Sequence, residues 1–405
     1  MKFAHLADCH IGGWRENKLK EIGIKAFKET IDICIKENTA FVLISGDLFN
    51  TSFPSIDVIK EVTEQLERLR NNDISVYIIP GSHDFSPSGK TMLDVLESSG
   101  LVENVFKINN NQLIFTVDKT GTKITGILGK RISLDKKYYE NLDLKGLEQE
   151  KGFKIFMFHT TVDELKPKEF FIIQPESIKN FPKNFNYYAG GHVHTVVNKE
   201  IPNYGLVSYP GPLFPNNFME IEKLKHGGFY LVDVNEKINL KYIPIKFHDV
   251  VSFSIDVNGK NAQEAEEFIK EEINKENVNN KIVTLRVFGT LSSGKPSDIN
   301  FKGILDELKD PYYVMRNTSE LLSKEFEEIQ LQKGSVDEVE NEIIEKNLGK
   351  IQIKNINEDE VTKELIKSLN IEKDEGEKNI DFEDRILSNF VKIFNLKDIW
   401  KDDNT

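Results

Sequence analysis

The chain contains Pro80-Gly81-Ser82-His83-Asp84 directly after an apolar run, Ser75 to Ile79. An apolar run of this length that ends in Gly or Pro is typical of a buried strand. Four further runs of this kind are followed at once by Asp or His. They are Lys2 to Ala7 before Asp8-Cys9-His10, Ala40 to Ser45 before Gly46-Asp47, Lys154 to Phe158 before His159-Thr160, and Tyr187 to Ala189 before Gly190-Gly191-His192-Val193-His194. Ligands of an open α/β sheet bind beyond the carboxyl ends of its strands, so these endings predict one common site.

The histidines of the chain are concentrated in these endings. Five of the eight lie there, namely His10, His83, His159, His192 and His194. A lone Asp-x-His or His-x-His is usually an ordinary loop. Five endings of this kind, each at the end of a predicted strand, favour a metal site instead.

The residue types in the endings indicate which metals the site would bind. Mixed imidazole and carboxylate ligands suit manganese, iron or zinc, whereas magnesium and calcium prefer oxygen ligands. Two ions about 3.5–4 Å apart clamp the attacking and leaving oxygens of a displacement, and they need a carboxylate that bridges them. Asp47 is the only acidic residue at its strand end, so it is the predicted bridge. His192 and His194 could then each face a different ion.

Amphipathic helices separate the first three predicted strands. Apolar residues recur at helical spacing from Leu19 to Cys34 and from Ile56 to Leu69. The resulting βαβαβ order predicts a mainly parallel sheet that is covered by helices. A second sheet begins between Gln112 and Gly129 or with the strand before His159. A further helix is predicted from Ser88 to Gly100.

The character of the chain changes near Asn235. Residues 236–320 read as strands interrupted by a helix, and residues 321–405 are charged and helix-prone. An apolar stripe at helical spacing lies within this last segment. Its members are Phe382, Ile386, Leu387, Phe390, Ile393 and Phe394. We therefore predict three domains, 1–235, 236–320 and 321–405.

Composition narrows the class of protein. The chain has 405 residues, a net charge of −13 and two cysteines, Cys9 and Cys34. No apolar run approaches the roughly 20 residues of a membrane span, and no basic-then-apolar signal precedes the first strand. We expect a cytoplasmic protein without disulfides and without a membrane anchor.

The distribution of charge bears on nucleic-acid binding. An acidic total argues against indiscriminate binding to a phosphate backbone, which needs a basic surface. Residues 321–405 hold 22 acidic and 13 basic residues, so nine of the thirteen net negative charges lie there. The remaining body is nearly neutral, and a site that holds divalent cations could still accept a phosphate backbone.

The motifs Asp-x-His, Gly-Asp, Gly-x-His-Asp, a lone His and Gly-His-x-His, in that order, resemble those of calcineurin-like metallophosphoesterases. SGDLFN at 45–50, YYAGGHVH at 187–194 and GGFYLVDV at 227–234 further resemble the SbcD or meiotic-recombination-eleven family, the nuclease subunits of the double-strand-break repair complex. The motif resemblance covers residues 1–235. It implies an α/β fold, a four-layer αββα metallophosphoesterase sandwich with a smaller α/β capping domain and a helical C-terminal segment.

The resemblance also implies a role for each predicted site residue. One ion would be held by Asp8, His10, Asp47 and His194. The second ion would be held by Asp47, Ser82, His159 and His192. His83 would be the catalytic histidine that does not bind metal, and Asp84 would orient it, because a carboxylate on one ring nitrogen fixes the tautomer of the other.

The chain departs from the family pattern at two positions. The family has Asn where this chain has Ser82, and the amide oxygen of that Asn binds the second ion. A neutral hydroxyl is a weaker ligand, so looser binding of the second ion is expected. Asn50 is a smaller departure, because some relatives carry there a His that contacts substrate phosphate.

Cofactors and partners follow from the same resemblance. It implies two divalent ions, most suitably Mn²⁺, and DNA as the substrate. It also implies that a helical segment beyond the capping domain binds an SbcC-like coiled-coil ATPase of the ABC type, although the apolar stripe could instead fold back on its own domain. Relatives form homodimers through helices of the phosphoesterase domain, and no motif in this chain reports one.

Three functions are compatible with the sequence. The leading one is a manganese-dependent DNA exo- or endonuclease, in which a hydroxide activated by two metals attacks the phosphodiester. The second is an enzyme of the same fold that acts on a small phosphodiester. The third is a metal-poor scaffold without catalytic activity, for which Ser82 is the supporting feature.

Overall fold

A computed structural model of the chain describes residues 1–84, 86, 90–110, 112–129, 144–165, 177–324, 358–369, 371 and 379–393. The helices are α1 Asn17–Lys36, α2 Ile56–Asn71, α3 Met92–Ser98, α4 Lys145–Gln149, α5 Phe218–Leu224, α6 Ala262–Ile273, α7 Phe301–Asp306, α8 Glu358–Leu369 and α9 Asn379–Ile393. The strands are β1 Lys2–Leu6, β2 Phe41–Ser45, β3 Ser75–Ile79, β4 Glu103–Asn104, β5 Ile108–Asn109, β6 Gln112–Leu113, β7 Thr116–Val117, β8 Lys123–Gly126, β9 Lys154–His159, β10 Tyr187–Gly191, β11 Val197–Ile201, β12 Gly205–Tyr209, β13 Gly227–Val234, β14 Ile238–Ile245, β15 Val250–Asp256, β16 Ile282–Leu291, β17 Tyr313–Asn317 and β18 Leu321–Ser323.

The chain divides into two compact units. The first comprises Met1–Val257, Glu266–Phe288 and Asn300–Glu320. The second comprises Asn258–Ala265, Gly289–Ile299 and Leu321–Thr405. The division into three domains at 235 and 320 stays a prediction.

Two sheets form most of the first unit, each with six strands among the described residues. The first has the order β14-β13-β1-β2-β3-β4. In it β1 to β4 are parallel, β13 pairs antiparallel with β1, and β14 pairs antiparallel with β13. The second has the order β11-β12-β10-β9-β8-β7, in which β12, β10, β9 and β8 are parallel. The predicted second sheet is confirmed, and it begins within the stretch from Gln112 to Gly129.

Apolar side chains from both sheets meet between them. Phe3 and Phe41 of the first sheet stack with ring centroids 4.9 Å apart, and the edge of Tyr187 from the second sheet contacts Phe3. Helices α1 and α2 cover the outer face of the first sheet with their predicted apolar stripes. Leu147 of α4 and two short turns cover the outer face of the second sheet. The predicted α/β sandwich is therefore confirmed.

One predicted helix start differs from the structure. Helix α3 begins at Met92 and is capped by Thr91, whose backbone N–H donates to the Asp94 carboxylate at 2.7 Å. The predicted start at Ser88 was wrong, and Ser88 itself lies outside the described residues.

A smaller sheet follows the sandwich in the chain. Within the first unit, β15, β16 and β17 are parallel neighbours, with β16 in the centre. Within the second unit, Gly289–Leu291 pairs with β18, and α8 packs against α9. No described helix is long and apolar enough to cross a membrane.

A chain of hydrogen bonds joins the two sheets through His5, which is completely buried on β1. Ser208 Oγ donates to Tyr187 Oη at 2.6 Å, and Tyr187 Oη lies 2.8 Å from His5 Nδ1. On the other side of the ring, Ser45 Oγ lies 3.1 Å from His5 Nε2 and donates to the Ala189 carbonyl at 3.0 Å. Because Ser45 Oγ donates its only proton to the Ala189 carbonyl, it can only accept from His5 Nε2. His5 Nε2 therefore carries the ring proton, and Nδ1 accepts from Tyr187. Burial lowers the pKa of His5 to about 3, which keeps the ring neutral.

We predict that Tyr187→Phe destabilises the protein. The substitution leaves His5 Nδ1 with only a long 3.4 Å contact to Ser208 Oγ. A buried acceptor that loses its donor costs about 1–3 kcal/mol, so the free energy of unfolding in urea should fall by that amount.

Tyr204→Phe is the matched control for this experiment. Tyr204 is also buried, but its hydroxyl has no hydrogen-bond partner in the described part of the chain. Its removal should leave the free energy of unfolding unchanged or slightly raised. Equal losses in the two variants would contradict a stabilising role for the His5 chain.

Candidate metal centre

The predicted ligands follow the carboxyl ends of strands in both sheets, and the ends meet. His159 is the last residue of β9, and its Nδ1 donates to the carbonyl of Ser45, the last residue of β2, at 2.8 Å. The loops after β1 and β2 are also joined, because His10 N–H donates to the Asp47 carbonyl at 2.9 Å. One edge of the sandwich therefore gathers residues from the ends of β1, β2 and β9.

Four of the predicted ligands have a backbone conformation that residues other than glycine rarely adopt. The φ angles of Asp8, His10, Asp47 and His192 are 50°, 42°, 53° and 83°. Such strain costs on the order of 1–3 kcal/mol per residue and persists only where the surrounding structure imposes it. This concentration of strain is typical of a functional site.

Two glycines leave room for the ligands. A Cβ on Gly81 would lie 2.2 Å from Asp47 Oδ1, and a Cβ on Gly191 would lie 1.9 Å from the Ser45 carbonyl oxygen. Both distances are far below van der Waals contact. Any side chain at these positions would displace Asp47 or the end of β2.

One group of ligand atoms is formed by Asp8, His10 and His194, which lie within 4.8 Å of one another. His194 Nε2 lies 3.2 Å from His10 Nε2 and 3.5 Å from Asp8 Oδ1. Asp47 Oδ2 lies 3.7 Å from His10 Nε2 and so borders the same group. The predicted ligands of the first ion are thus brought together.

A second group is formed by Asp8, Asp47 and His159. His159 Nε2 lies 3.2 Å from Asp47 Oδ2, and the His159 side chain is fully buried. Asp47 therefore lies between His10 on one side and His159 on the other. This is the position that a bridging carboxylate requires.

The chemistry of these side chains fits divalent cations. His159 Nε2 is buried and has no hydrogen-bond partner among the described residues, although Asp47 Oδ2 is near. Burial opposes a positive charge on the rings of His159 and His194. Asp47 nevertheless raises the pKa of His159 to about 9, and Asp8 and Glu220 raise the pKa of His194 to about 10. The pocket thus favours positive charge, and imidazole with carboxylate suits manganese, iron or zinc.

Two other predicted ligands contribute differently. The Ser82 hydroxyl lies 3.4 Å from Asp47 Oδ2 and can donate to it. His192 N–H donates to both carboxylate oxygens of Asp8, at 2.9 and 3.1 Å. Its ring lies 5.3 Å from the ring of His159, and it belongs to none of the three groups of ligand atoms found among the described residues.

His83 lies beside His10 and Asp47 in the centre. Its ring packs edge-on against His10 with centroids 4.7 Å apart, and its N–H donates to Asp47 Oδ1 at 2.7 Å. The third group of ligand atoms consists of His10, Asp47 and His83, so His83 is close enough to reach a bound ion or its substrate. Its Nδ1 donates to the Asn50 carbonyl at 2.8 Å, which leaves Nε2 as the reactive nitrogen.

The predicted orientation of His83 by Asp84 was wrong. The Asp84 carboxylate accepts instead from the backbone N–H groups of Leu48, Phe49 and Gly81, at 3.3, 3.2 and 3.1 Å. Burial, together with the charge of Asp47, raises the pKa of Asp84 to about 7. Asp84 therefore fastens the loop after β3 to the loop after β2, and a backbone carbonyl orients His83.

Sequence reasoning missed one residue of the centre, Glu220. His194 Nδ1 donates to Glu220 Oε1 at 2.9 Å, so the tautomer with Nε2 free for a metal is fixed. The signal in the sequence is Asn217 three residues before Glu220, the spacing of a capping box at a helix start. Asn217 Oδ1 indeed accepts from Glu220 N–H at 2.9 Å.

Comparison with known proteins agrees with this centre. Residues 1–196 match the calcineurin-like phosphoesterase family. The DNA double-strand break repair protein Mre11 of Methanococcus maripaludis is 31% identical over 292 residues, which are 67% of this chain and 73% of that protein. The proteins of that name from Archaeoglobus fulgidus and Methanocaldococcus jannaschii are 25% and 29% identical over 381 and 283 residues, which cover 84% and 64% of this chain and 82% and 72% of those proteins. The chain therefore belongs to the Mre11 family, with a calcineurin-like phosphoesterase domain at its core.

Proposed function

We propose that this protein is a metal-dependent DNA nuclease of double-strand-break repair that hydrolyses phosphodiester bonds. The observation that carries the proposal is Asp47, a buried carboxylate between His10 and His159 in a pocket that favours positive charge. Family membership supports it, because the relatives are named as DNA double-strand break repair proteins. Divalent ions, when bound there, would supply a nucleophile at neutral pH and stabilise the charge of the transition state.

The ligand assignment is part of the proposal. Asp8, His10, Asp47 and His194 hold one ion. Asp47, Ser82, His159 and His192 hold the other. Burial lowers the pKa of His10 and of His192 to about 4, so both rings are neutral and able to bind a metal. The proposed ion is Mn²⁺, one of the cations that a mixture of imidazole, carboxylate and hydroxyl ligands suits.

His83 is the proposed catalytic residue. Its Nδ1 is committed to the Asn50 carbonyl, so its Nε2 faces the site as the atom that can hold a proton for the leaving oxygen. Asn50 is itself held, because its Oδ1 accepts from Asn216 Nδ2 at 3.3 Å. Asp84 supports His83 only indirectly, by fixing the loop that carries it.

The proposal extends to partners. We propose that an SbcC-like coiled-coil ATPase binds the C-terminal helical segment, because Leu387 and Phe390 of α9 are each 41% exposed. Phe394 of the predicted stripe lies outside the described residues. Retention of such an ATPase by the full chain, and its loss in Leu387→Asp, tests this assignment; equal retention by both would refute it.

We also propose a homodimer formed through the surface near α2 and α3. Phe53, Ile56 and Val95 are 64%, 83% and 56% exposed, and Met92 N–H at the start of α3 donates to the Ser52 carbonyl beside Phe53. Sedimentation of the full chain and of Ile56→Asp tests the dimer; a monomeric wild type would refute it.

Cytoplasmic location stays a proposal from the cysteine content.

We predict that His83→Ala slows cleavage strongly while the protein still binds metal. Loss of a general acid or base typically costs about 10²–10⁴-fold in rate. Mn²⁺-dependent cleavage of a DNA end should fall by that factor, and the number of bound ions should not change. His226→Ala replaces a histidine that belongs to none of the groups of ligand atoms among the described residues, and it should cleave DNA like the wild type. Unchanged cleavage by His83→Ala would refute the role.

We predict that Ser82→Asn strengthens binding of the second ion. An amide oxygen is a better ligand than a neutral hydroxyl, and the Asn side chain extends further toward Asp47. Calorimetric titration of metal-stripped protein with Mn²⁺ should show a lower Kd for the weaker site and an unchanged Kd for the tighter one. Ser82→Ala should weaken only the weaker site, and identical titrations of all three proteins would exclude position 82 as a ligand.

A further inference from the structure

Helix α5 lies between the metal centre and the smaller sheet. Its first turn carries Glu220, which contacts His194, and its second carries Glu222, which contacts Arg286 of β16. We propose that Glu220 is a positioning residue for the metal centre and that the pair of Glu222 and Arg286 holds the helix in place for this task. The inference rests on the proposed function, because it concerns how the same metal centre is kept in order.

Both oxygens of Glu220 are committed to the centre and its support. Oε1 accepts from His194 Nδ1 at 2.9 Å, and Oε2 accepts from Asn216 N–H at 2.7 Å. Glu220 also takes part in capping the helix, because Asn217 Nδ2 donates to Oε1. Its contact with His194 goes beyond a cap, since a carboxylate on the far nitrogen of a ligating histidine fixes the ring and raises its basicity.

The segment before α5 reaches the catalytic histidine as well. Asn216, held by Glu220, donates through Nδ2 to Asn50 Oδ1 at 3.3 Å, and the Asn50 carbonyl accepts from His83 Nδ1. The packing here is tight, since a Cβ on Gly13 would lie 2.3 Å from Asn216 Oδ1. One short segment therefore orients both His194 and His83.

The far side of α5 is held by a forked ion pair. Arg286 Nε lies 3.2 Å from both carboxylate oxygens of Glu222, and Arg286 Nη2 donates to Glu222 Oε2 at 2.6 Å. The guanidinium also lies over the Phe218 ring, 5.2 Å from its centroid. The side chains of Arg286 and Glu222 are only 20% and 14% exposed, so solvent screens this pair less than a surface pair.

A further contact anchors the end of the helix to the same sheet. Lys225, which follows α5 with a φ of 63°, donates through Nζ to Ser252 Oγ on β15. Ser252 Oγ in turn accepts from Thr284 on β16 at 2.8 Å. A helix of two turns that is fixed at both ends transmits the position of β15 and β16 to His194.

The test measures metal affinity and does not depend on DNA cleavage. Metal-stripped full-length protein is titrated with Mn²⁺ by calorimetry. Glu220→Gln keeps the shape of the side chain but removes its charge, and it should weaken the tighter site about 10–100-fold, as is typical for the partner of a ligating histidine. The metal-free variant should keep the wild-type fold by circular dichroism, and its melting temperature should fall only slightly, because it loses the partner of protonated His194.

Arg286→Met should weaken the same site by a smaller factor. The double variant Glu220→Gln with Arg286→Met should bind no more weakly than Glu220→Gln alone, because both act through His194. Arg68→Met is the control for loss of an arginine ion pair, since Arg68 of α2 pairs with Asp32 of α1 and contacts no residue of α5 among its hydrogen bonds and ion pairs in the described part of the chain. It should leave the Mn²⁺ titration unchanged.

Two results would overturn the proposal. One is wild-type affinity in Glu220→Gln, and the other is loss of the native fold in the metal-free Gln variant under the conditions of the titration, which would make Glu220 purely structural. Wild-type protein that binds Mn²⁺ without cleaving DNA would contradict the proposed function alone. Wild-type protein that binds no Mn²⁺ would contradict both.

Discussion

Two buried carboxylates, Asp8 and Asp47, impose the main constraint on this molecule. Both lie almost completely out of contact with water, where an unpaired charge is costly. His159 and His194 compensate for them when protonated, and this is why the pKa of each ring is raised in spite of burial. Divalent cations can replace those protons, so the same arrangement that stabilises the charges selects metal ions.

The remainder of the sandwich holds these side chains in position. Hydrogen bonds join the neighbouring strand-end loops in which the ligands with positive φ angles lie, and Asp84 adds three backbone contacts to these loops. Behind the ligands, the neutral His5 chain joins the two sheets whose ends form the centre. Helix α5 holds the side of His194 that faces away from the metal position. Residues that hold the structure together, such as Asp84 and His5, therefore lie only a few positions from residues with a proposed chemical role, such as His83 and Asp8.

The sequence was informative wherever a local pattern determined the outcome. Strand ends could be located from apolar runs closed by Gly, and ligands that follow parallel strands must meet at one edge. Asp84 and Glu220 show the limit of such reasoning. Asp84 is next to His83 in the chain, but its side chain accepts from backbone N–H groups instead. Glu220 contacts His194 because α5, the helix before β13, packs beside the loop after β10. Contacts of that kind depend on tertiary packing, which spacing along the chain does not encode.

The most direct measurement is anomalous diffraction from crystals of the wild-type protein soaked in Mn²⁺. The account predicts two anomalous maxima about 3.5–4 Å apart, one on each side of the Asp47 carboxylate. The maximum beside His10 and His194 should be the stronger, because Ser82 weakens the other site. A single maximum that Asp47 does not contact, or no maximum in this pocket, would contradict the account.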